Sequence, residues 1–98
     1  MPQSRQREEV LENIQALARA FEGHSVELRV PFVGAVQFLE GQNHRRGTPP
    51  NTIEISAELY NELLTAQVRF ADVRDRVDAS GARSEEALDL LEHWFNAV

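Results

Sequence analysis

The first hydrophobic pattern along the chain is helical. Apolar residues recur at spacings of four, three and four, which place them on one face of a helix: Val10, Ile14, Leu17 and Phe21. Ser4 stands at the position of an N-cap, and Gly23 is a plausible C-terminal stop. The pattern predicts an amphipathic helix between these two residues.

The period changes to two after this helix. Apolar side chains alternate with other residues from position 25 to 32, at Val26, Leu28, Val30 and Phe32. Such alternation is typical of a strand with one buried face, and Pro31 either ends the strand or places it at a sheet edge. Residues 33–40 allow two interpretations, a strand bent at Gly34 or a short helix after Pro31. We favour the strand.

The second half of the chain is predicted to be mainly helical. Thr52–Ser56 has the alternation of a short strand, and Ser56 suits the N-cap of the following helix. Apolar residues then recur every 3.5 residues, as on a helix packed along another: Leu59, Leu63, Ala66, Phe70, Val73 and Val77. We therefore expect one long helix over residues 57–77. Residues 78–81 should break it, and Ser84 should cap a last helix.

The predicted architecture is a single α+β domain over residues 1–98. It consists of an N-terminal helix, a small antiparallel sheet of two or three strands, and a helical hairpin made by the long helix and the short C-terminal helix. The expected core is spread over all of these elements: Ile14, Leu17, Phe21, Leu28, Val30, Ile53, Ile55, Leu63, Phe70, Leu91 and Trp94. The long apolar seam needs more partner surface than one short helix offers, so we predict a homo-oligomer.

Composition limits the classes of function. A chain of 98 residues buries a modest core, and without cysteine it has no disulfide to reinforce that core. The formal net charge of −6 argues against nonspecific binding to duplex DNA. Neither a secretory signal nor a membrane-spanning apolar stretch is visible, so we expect a cytoplasmic protein without a membrane partner.

Motifs of catalysis are missing from the sequence. His24, His44 and His93 stand on three different segments, so they form no helical metal-binding pair. The chain has no cysteine, no Gly-x-Ser-x-Gly motif and no phosphate-cradling P-loop. We therefore expect no enzyme, no catalytic residues, no metal site and no cofactor.

The segment between Gly41 and Ile53 is the best candidate for a binding site. It contains no acidic residue, although the chain has 16 of them. Its polar side chains suit recognition of a phosphate or carboxylate, and the predicted ligand-binding residues are Asn43, His44, Arg45, Arg46 and Thr48. The alternative is a surface loop whose charges merely keep it solvated, and the sequence leaves both open.

Two resemblances bear on function. A strand at Thr52–Ser56 followed by two helices, the second beginning at Ser84, resembles ribbon-helix-helix repressors. That resemblance implies DNA binding, but a glutamate at the centre of the strand, Glu54, has the wrong sign for a phosphate-rich surface. The order Ile53–Ser56, Glu58–Tyr60 and Leu63–Leu64 resembles small accessory proteins of phages. Some of those proteins block bacterial defences, either by covering a protein or by sequestering a nucleotide signal in an oligomer.

The sequence thus favours a non-enzymatic oligomeric binding protein that holds an anionic phosphate-bearing ligand through the arginine loop, and the resemblance to phage accessory proteins implies a phage origin. The alternative is a protein–protein inhibitor or adaptor whose acidic helices cover a basic partner surface. A ribbon-helix-helix-like DNA regulator is the third hypothesis.

Overall fold

A computed structural model describes residues 3–41 and 50–97. The first helix, α1, spans Ser4–Ala20 and buries the predicted stripe formed by Val10, Ile14 and Leu17. Ser4 is its first helical residue rather than its cap. The flanking residue is Gln3, whose backbone N–H donates to Gln6 Oε1 at 3.0 Å. The helix prediction is confirmed, with its start displaced by one residue.

Four strands form one mixed sheet. They are β1 (Val26–Val30), β2 (Gly34–Phe38), β3 (Asn51–Glu54) and β4 (Asp78–Ser80), in the order β2-β1-β3-β4. β1 pairs antiparallel with β2 and parallel with β3, while β3 pairs antiparallel with β4. The strand interpretation of residues 33–40 is confirmed. The expected antiparallel sheet of two or three strands was wrong, because β4 was missed and the central pair is parallel.

The turn between β1 and β2 holds an unusual residue. The Val33 N–H donates to the Val30 carbonyl at 3.0 Å, and Phe32 has a φ of 67°. A type II turn requires positive φ at this third position, where glycine or asparagine is usual. The Arg7 guanidinium donates to the Phe32 carbonyl at 2.9 and 3.2 Å and so ties the turn to α1. The Phe32 side chain is 72% exposed.

The predicted long helix over residues 57–77 is broken. α2 spans Ala57–Leu64, α3 spans Phe70–Val73, and a 3-10 turn follows at Arg74–Arg76. The N–H of Ala66 donates to the Leu63 carbonyl and that of Gln67 to the Glu62 carbonyl, which is the pattern of a Schellman cap. Ala66 occupies the left-handed position, with a φ of 60°, that glycine usually fills.

The last helix, α4, spans Ser84–Asn96. Ser84 is again its first residue, since Arg83 is the flanking residue and makes no side-chain cap. α3 packs against α4, but β4 lies between them in the chain, so they do not form the simple helical hairpin that we expected. None of the helices within the described ranges is long and apolar enough to cross a membrane.

The core lies between the helices and one face of the sheet. Nine of the predicted core residues are buried, and the exceptions, Phe21 and Trp94, are half-buried. Those two rings meet edge to face at 6.1 Å, while Phe95 packs against both Tyr60 and Phe70.

The apolar seam that motivated the oligomer prediction is satisfied within one chain. Its members Leu59, Leu63, Phe70, Val73 and Val77 are all buried in the core, and only Ala66 is exposed. The seam therefore supplies no intersubunit surface, and any oligomer has to use another part of the molecule.

Candidate functional site

The residues predicted to bind ligand, Asn43, His44, Arg45, Arg46 and Thr48, lie outside the described residues. The structure does describe where that loop leaves and rejoins the domain. Gly41 follows the end of β2, and Pro50 precedes β3. Val26 of β1 pairs with Phe38 on one side and with Asn51 on the other, so both ends of the loop meet at the same end of the sheet.

Asn51 joins three segments at this end of the sheet. Its side chain is buried, with 2% relative exposure, and its Nδ2 donates to the Ser25 carbonyl at 2.8 Å. Its Oδ1 accepts the Arg83 backbone N–H, also at 2.8 Å. A buried amide whose donor and acceptor both have partners fixes the backbone around it, because breaking either bond would leave a polar group unsatisfied.

Arg83 completes the network from the start of α4. Its Nη1 donates to Ser25 Oγ at 3.0 Å and to the Glu40 carbonyl at 2.8 Å. Its Nε and Nη2 make a bidentate pair with Glu86, both at 2.9 Å. This pairing lowers the pKa of Glu86 and raises the pKa of Arg83, so both groups stay charged and matched. The charge of Arg83 is thus already neutralised by Glu86.

Two glycines permit the close approach of these segments. A β-carbon on Gly41 would collide with Arg83 Nη1. A β-carbon on Gly81, whose φ is 109°, would collide with Asn51 Oδ1 and the Pro50 carbonyl. The turn that leads into α4 therefore lies directly against the point where the loop rejoins the sheet.

A hollow of about 490 Å³ opens beside this network. The described residues that line it are Ser25, Gly41, Pro50, Asn51, Ala82 and Arg83. The volume falls within the range of about 300–1,000 Å³ that is usual for small-molecule sites. Its walls combine carbon-rich surface with a charge-neutral ion pair, so the hollow suits an uncharged portion of a ligand better than an anionic group.

The outer face of the sheet is a second candidate surface. Its side chains are exposed or half-buried and form rows across the four strands, among them Ala35, Arg29, Glu54 and Asp78. Glu54 and Asp78 stand directly opposite each other, where like charges repel. The cation of this row, Arg29, is paired with Glu27 of its own strand instead. This face therefore carries uncompensated negative charge.

The histidines within residues 3–41 and 50–97 lie on separate segments. No three histidine or acidic side chains there come together as a metal site. His24 Nδ1 contacts Gln37 Oε1 at 2.8 Å, and His93 lies on α4. Arg74 pairs with three acids of α4: Glu85, Asp89 and Glu92.

Sequence reasoning missed the residues that build the base of the loop. Ser25, Asn51 and Arg83 lie 26 to 58 positions apart, and no periodicity links them. The one local signal was the position of Asn51 directly after the paired prolines. A polar residue at the start of a strand is ordinary, however, and Asn51 is buried only because the turn that leads into α4 packs against it.

Fold and site together define a small two-layer α+β domain, with helices on one face of a mixed sheet and a polar outer face. A family model described as "Bacterial SCP ortholog" matches residues 3–92. The match includes α1, the whole sheet and most of α4, and the chain belongs to this family. No curated protein matches the chain. The ribbon-helix-helix resemblance of residues 52–98 does not extend to the fold, since β4 stands between the helices it would require to be consecutive.

Proposed function

We propose that this chain is a non-enzymatic, oligomeric binding protein that recognises an anionic, phosphate-bearing small ligand, such as a nucleotide. Arg45 and Arg46 would supply the charge, with Asn43, His44 and Thr48 as further hydrogen-bonding groups. The observation that carries the proposal is the network of Ser25, Asn51 and Arg83, which fixes both ends of that loop beside a hollow of ligand size. Binding residues are often carried by loops that a rigid scaffold positions.

The distribution of charge at the base of the loop suggests that the loop and the hollow bind different parts of the ligand. Arg83 is neutralised by Glu86, so this cation is not free to hold an anion. Charge for phosphate recognition then has to come from the loop arginines. The carbon-rich walls near Pro50 and Ala82 suit an uncharged ring or chain of the same ligand.

The acid–base properties of this site favour binding over catalysis. A general acid needs a pKa raised towards neutrality, usually by burial. The one acid in the network, Glu86, has its pKa lowered by Arg83, which keeps it ionised. Glu86 therefore serves as the counter-ion of a structural arginine.

An anti-defence role is a narrower version of the same proposal. It rests on the phage resemblance in residues 53–64 alone, since the family description refers to bacteria and mentions no phage. Sequestration of a nucleotide signal would use the same loop and would also require the chain to oligomerise.

The test is a thermal-shift screen of the full chain against inorganic phosphate, nucleotides and cyclic nucleotides. We expect at least one of these anions to raise the melting temperature of the wild type and not that of R45A/R46A. The variant should fold normally, because the sequence places neither arginine in the predicted core, and substitutions away from a core usually change stability by about 0.5 kcal/mol or less. The matched control, R5A/R19A, removes the same charge from exposed positions of α1 and should respond like the wild type. Equal responses of the two variants would refute the proposal.

A second candidate function is supported by the outer face of the sheet. The uncompensated pair Glu54 and Asp78 suits a protein partner with a basic surface, which is a variant of the inhibitor or adaptor hypothesis that uses the sheet instead of the acidic helices. Its negative charge also weighs against duplex DNA on this face. Here E54K/D78K should abolish capture of a basic protein probe such as cytochrome c at low salt, while R45A/R46A retains it. If E54K/D78K still captures the probe, this alternative is excluded.

A further inference from the structure

One edge of the sheet lacks the features that usually keep edge strands apart. β2 is the outermost strand on its side, and within the described residues no further strand pairs with it. Edge strands are commonly protected by charged side chains or proline. The β2 sequence, Gly34–Phe38, contains neither. Its outward side chains, Ala35 and Gln37, are exposed and uncharged.

The opposite edge differs in both length and charge. β4 has only three residues and begins with Asp78, next to Glu54. Two copies of a chain with net charge −6 repel each other over most of their surfaces. β2 contains no acidic residue, so two copies that pair along it bring no strand carboxylates together. An antiparallel edge is also complementary to itself, because its free N–H and C=O groups match those of a second copy related by a twofold axis.

The turn that leads into β2 adds a second, independent observation. Phe32 is the one large hydrophobic side chain strongly exposed in residues 3–41 and 50–97, and it adopts a left-handed conformation disfavoured for a bulky residue. The Arg7 guanidinium holds its carbonyl, so the turn is fixed. Aromatic side chains are enriched at protein–protein interfaces, so an exposed ring fixed beside an unpaired strand edge suits a contact with another chain.

We propose that β2 and the Phe32 turn form the interface through which two copies of this chain pair edge to edge. With Val36 at the twofold axis, Gly34 lies opposite the partner's Phe38, and the two sheets join into one of eight strands. Phe32 then lies beyond the paired segment, beside the partner's Glu40, where its ring covers the end of the joined strands. This inference deepens the oligomeric part of the proposed function.

The test needs no ligand, so it is separate from the test of the loop. Sedimentation of the wild type should show a monomer–dimer equilibrium with a dissociation constant below about 100 μM. A35K/Q37K places two lysines on the outward positions of β2 and should raise the dimer dissociation constant at least about tenfold. The control Q15K/N96K adds the same charge at exposed positions of α1 and α4 and should dimerise like the wild type.

Phe32 separates the interface from folding. Glycine prefers positive φ, so F32G should melt at a higher temperature than the wild type at concentrations where both are monomers. The same variant should dimerise at least about tenfold more weakly. F32N, which tolerates the conformation but lacks the ring, should also dimerise weakly. A monomeric wild type would overturn the inference together with the oligomer prediction. A dimer unaffected by A35K/Q37K would overturn the β2 interface alone.

Discussion

The side chain of Asn13 connects three helices through one oxygen atom. Its Oδ1 accepts the Tyr60 hydroxyl at 2.6 Å and the Trp94 indole N–H at 2.9 Å. These residues belong to α1, α2 and α4. N13A removes the acceptor from both donors while changing little on the outer surface of α1. The variant therefore tests whether a shared polar contact fixes the helices against each other.

The loss of stability expected for N13A depends on how well water can replace the lost acceptor. Tyr60 has 0% relative exposure, so its hydroxyl is left without a partner at a cost of about 1–3 kcal/mol. Trp94 is half-buried, and its N–H regains part of its solvation. With the cavity left by the amide, we expect N13A to lower the free energy of unfolding by about 2–4 kcal/mol.

Urea denaturation followed by far-UV circular dichroism measures this change, and Trp94, as the only tryptophan, reports on the same site by fluorescence. The decisive measurement is a double-mutant cycle with Y60F. N13A should lower the free energy of unfolding by less in the Y60F background, with a coupling energy of about 1–2 kcal/mol. The reason is that Y60F has already removed one of the two donors that lose their acceptor. N96A, an exposed change at the end of α4, should have an effect within about 0.5 kcal/mol. A coupling energy within about 0.3 kcal/mol of zero would refute the reasoning.

Three further predictions concern stability. Burial raises the pKa of Tyr60 above its ordinary value of 10.0. The unfolded chain releases this proton first, so the contribution of Tyr60 to the free energy of unfolding is complete below pH 10. As pH rises above that value, the contribution falls by about 1.4 kcal/mol per unit until the folded state also ionises. Alkaline denaturation should therefore be less steep in Y60F. A66G should raise the free energy of unfolding by about 0.5–1 kcal/mol, since the left-handed cap position favours glycine, and an unchanged urea midpoint would contradict this. F70A should cost about 3–5 kcal/mol in the same assay, because the ring is 1% exposed and stacks on Phe95, and a loss below about 1 kcal/mol would refute its place in the core.

Elements whose burial is repetitive were predictable from the sequence. α1 and β1 each present one face to the same core, so their apolar residues recur with the period of the element itself. The end of β1 was also local, since Pro31 lacks the N–H that a continuing strand needs. For β2 the sequence left two interpretations, and pairing with β1 decided for a strand.

The break after α2 shows that apolar spacing alone does not establish a continuous helix. Apolar spacing from Leu59 to Val77 records which side chains are buried, and all but Ala66 are. It does not record whether the backbone between them is one helix. The chain turns at Ala66 in a left-handed conformation, and α3 then reaches the same core from another direction. Burial of separate segments in one core can imitate a continuous helical stripe.

Contacts between distant segments were decided only by the tertiary structure. β4 has no buried side chain and no alternation, and it is a strand because β3 offers it an edge to pair with. Composition identified a loop rich in arginine, but the base of that loop depends on Asn51 receiving the Arg83 N–H from another part of the chain. Periodicity reports how a residue relates to its neighbours in sequence. A hydrogen bond between residues 32 positions apart depends on where the fold brings them, and no local pattern carries that information.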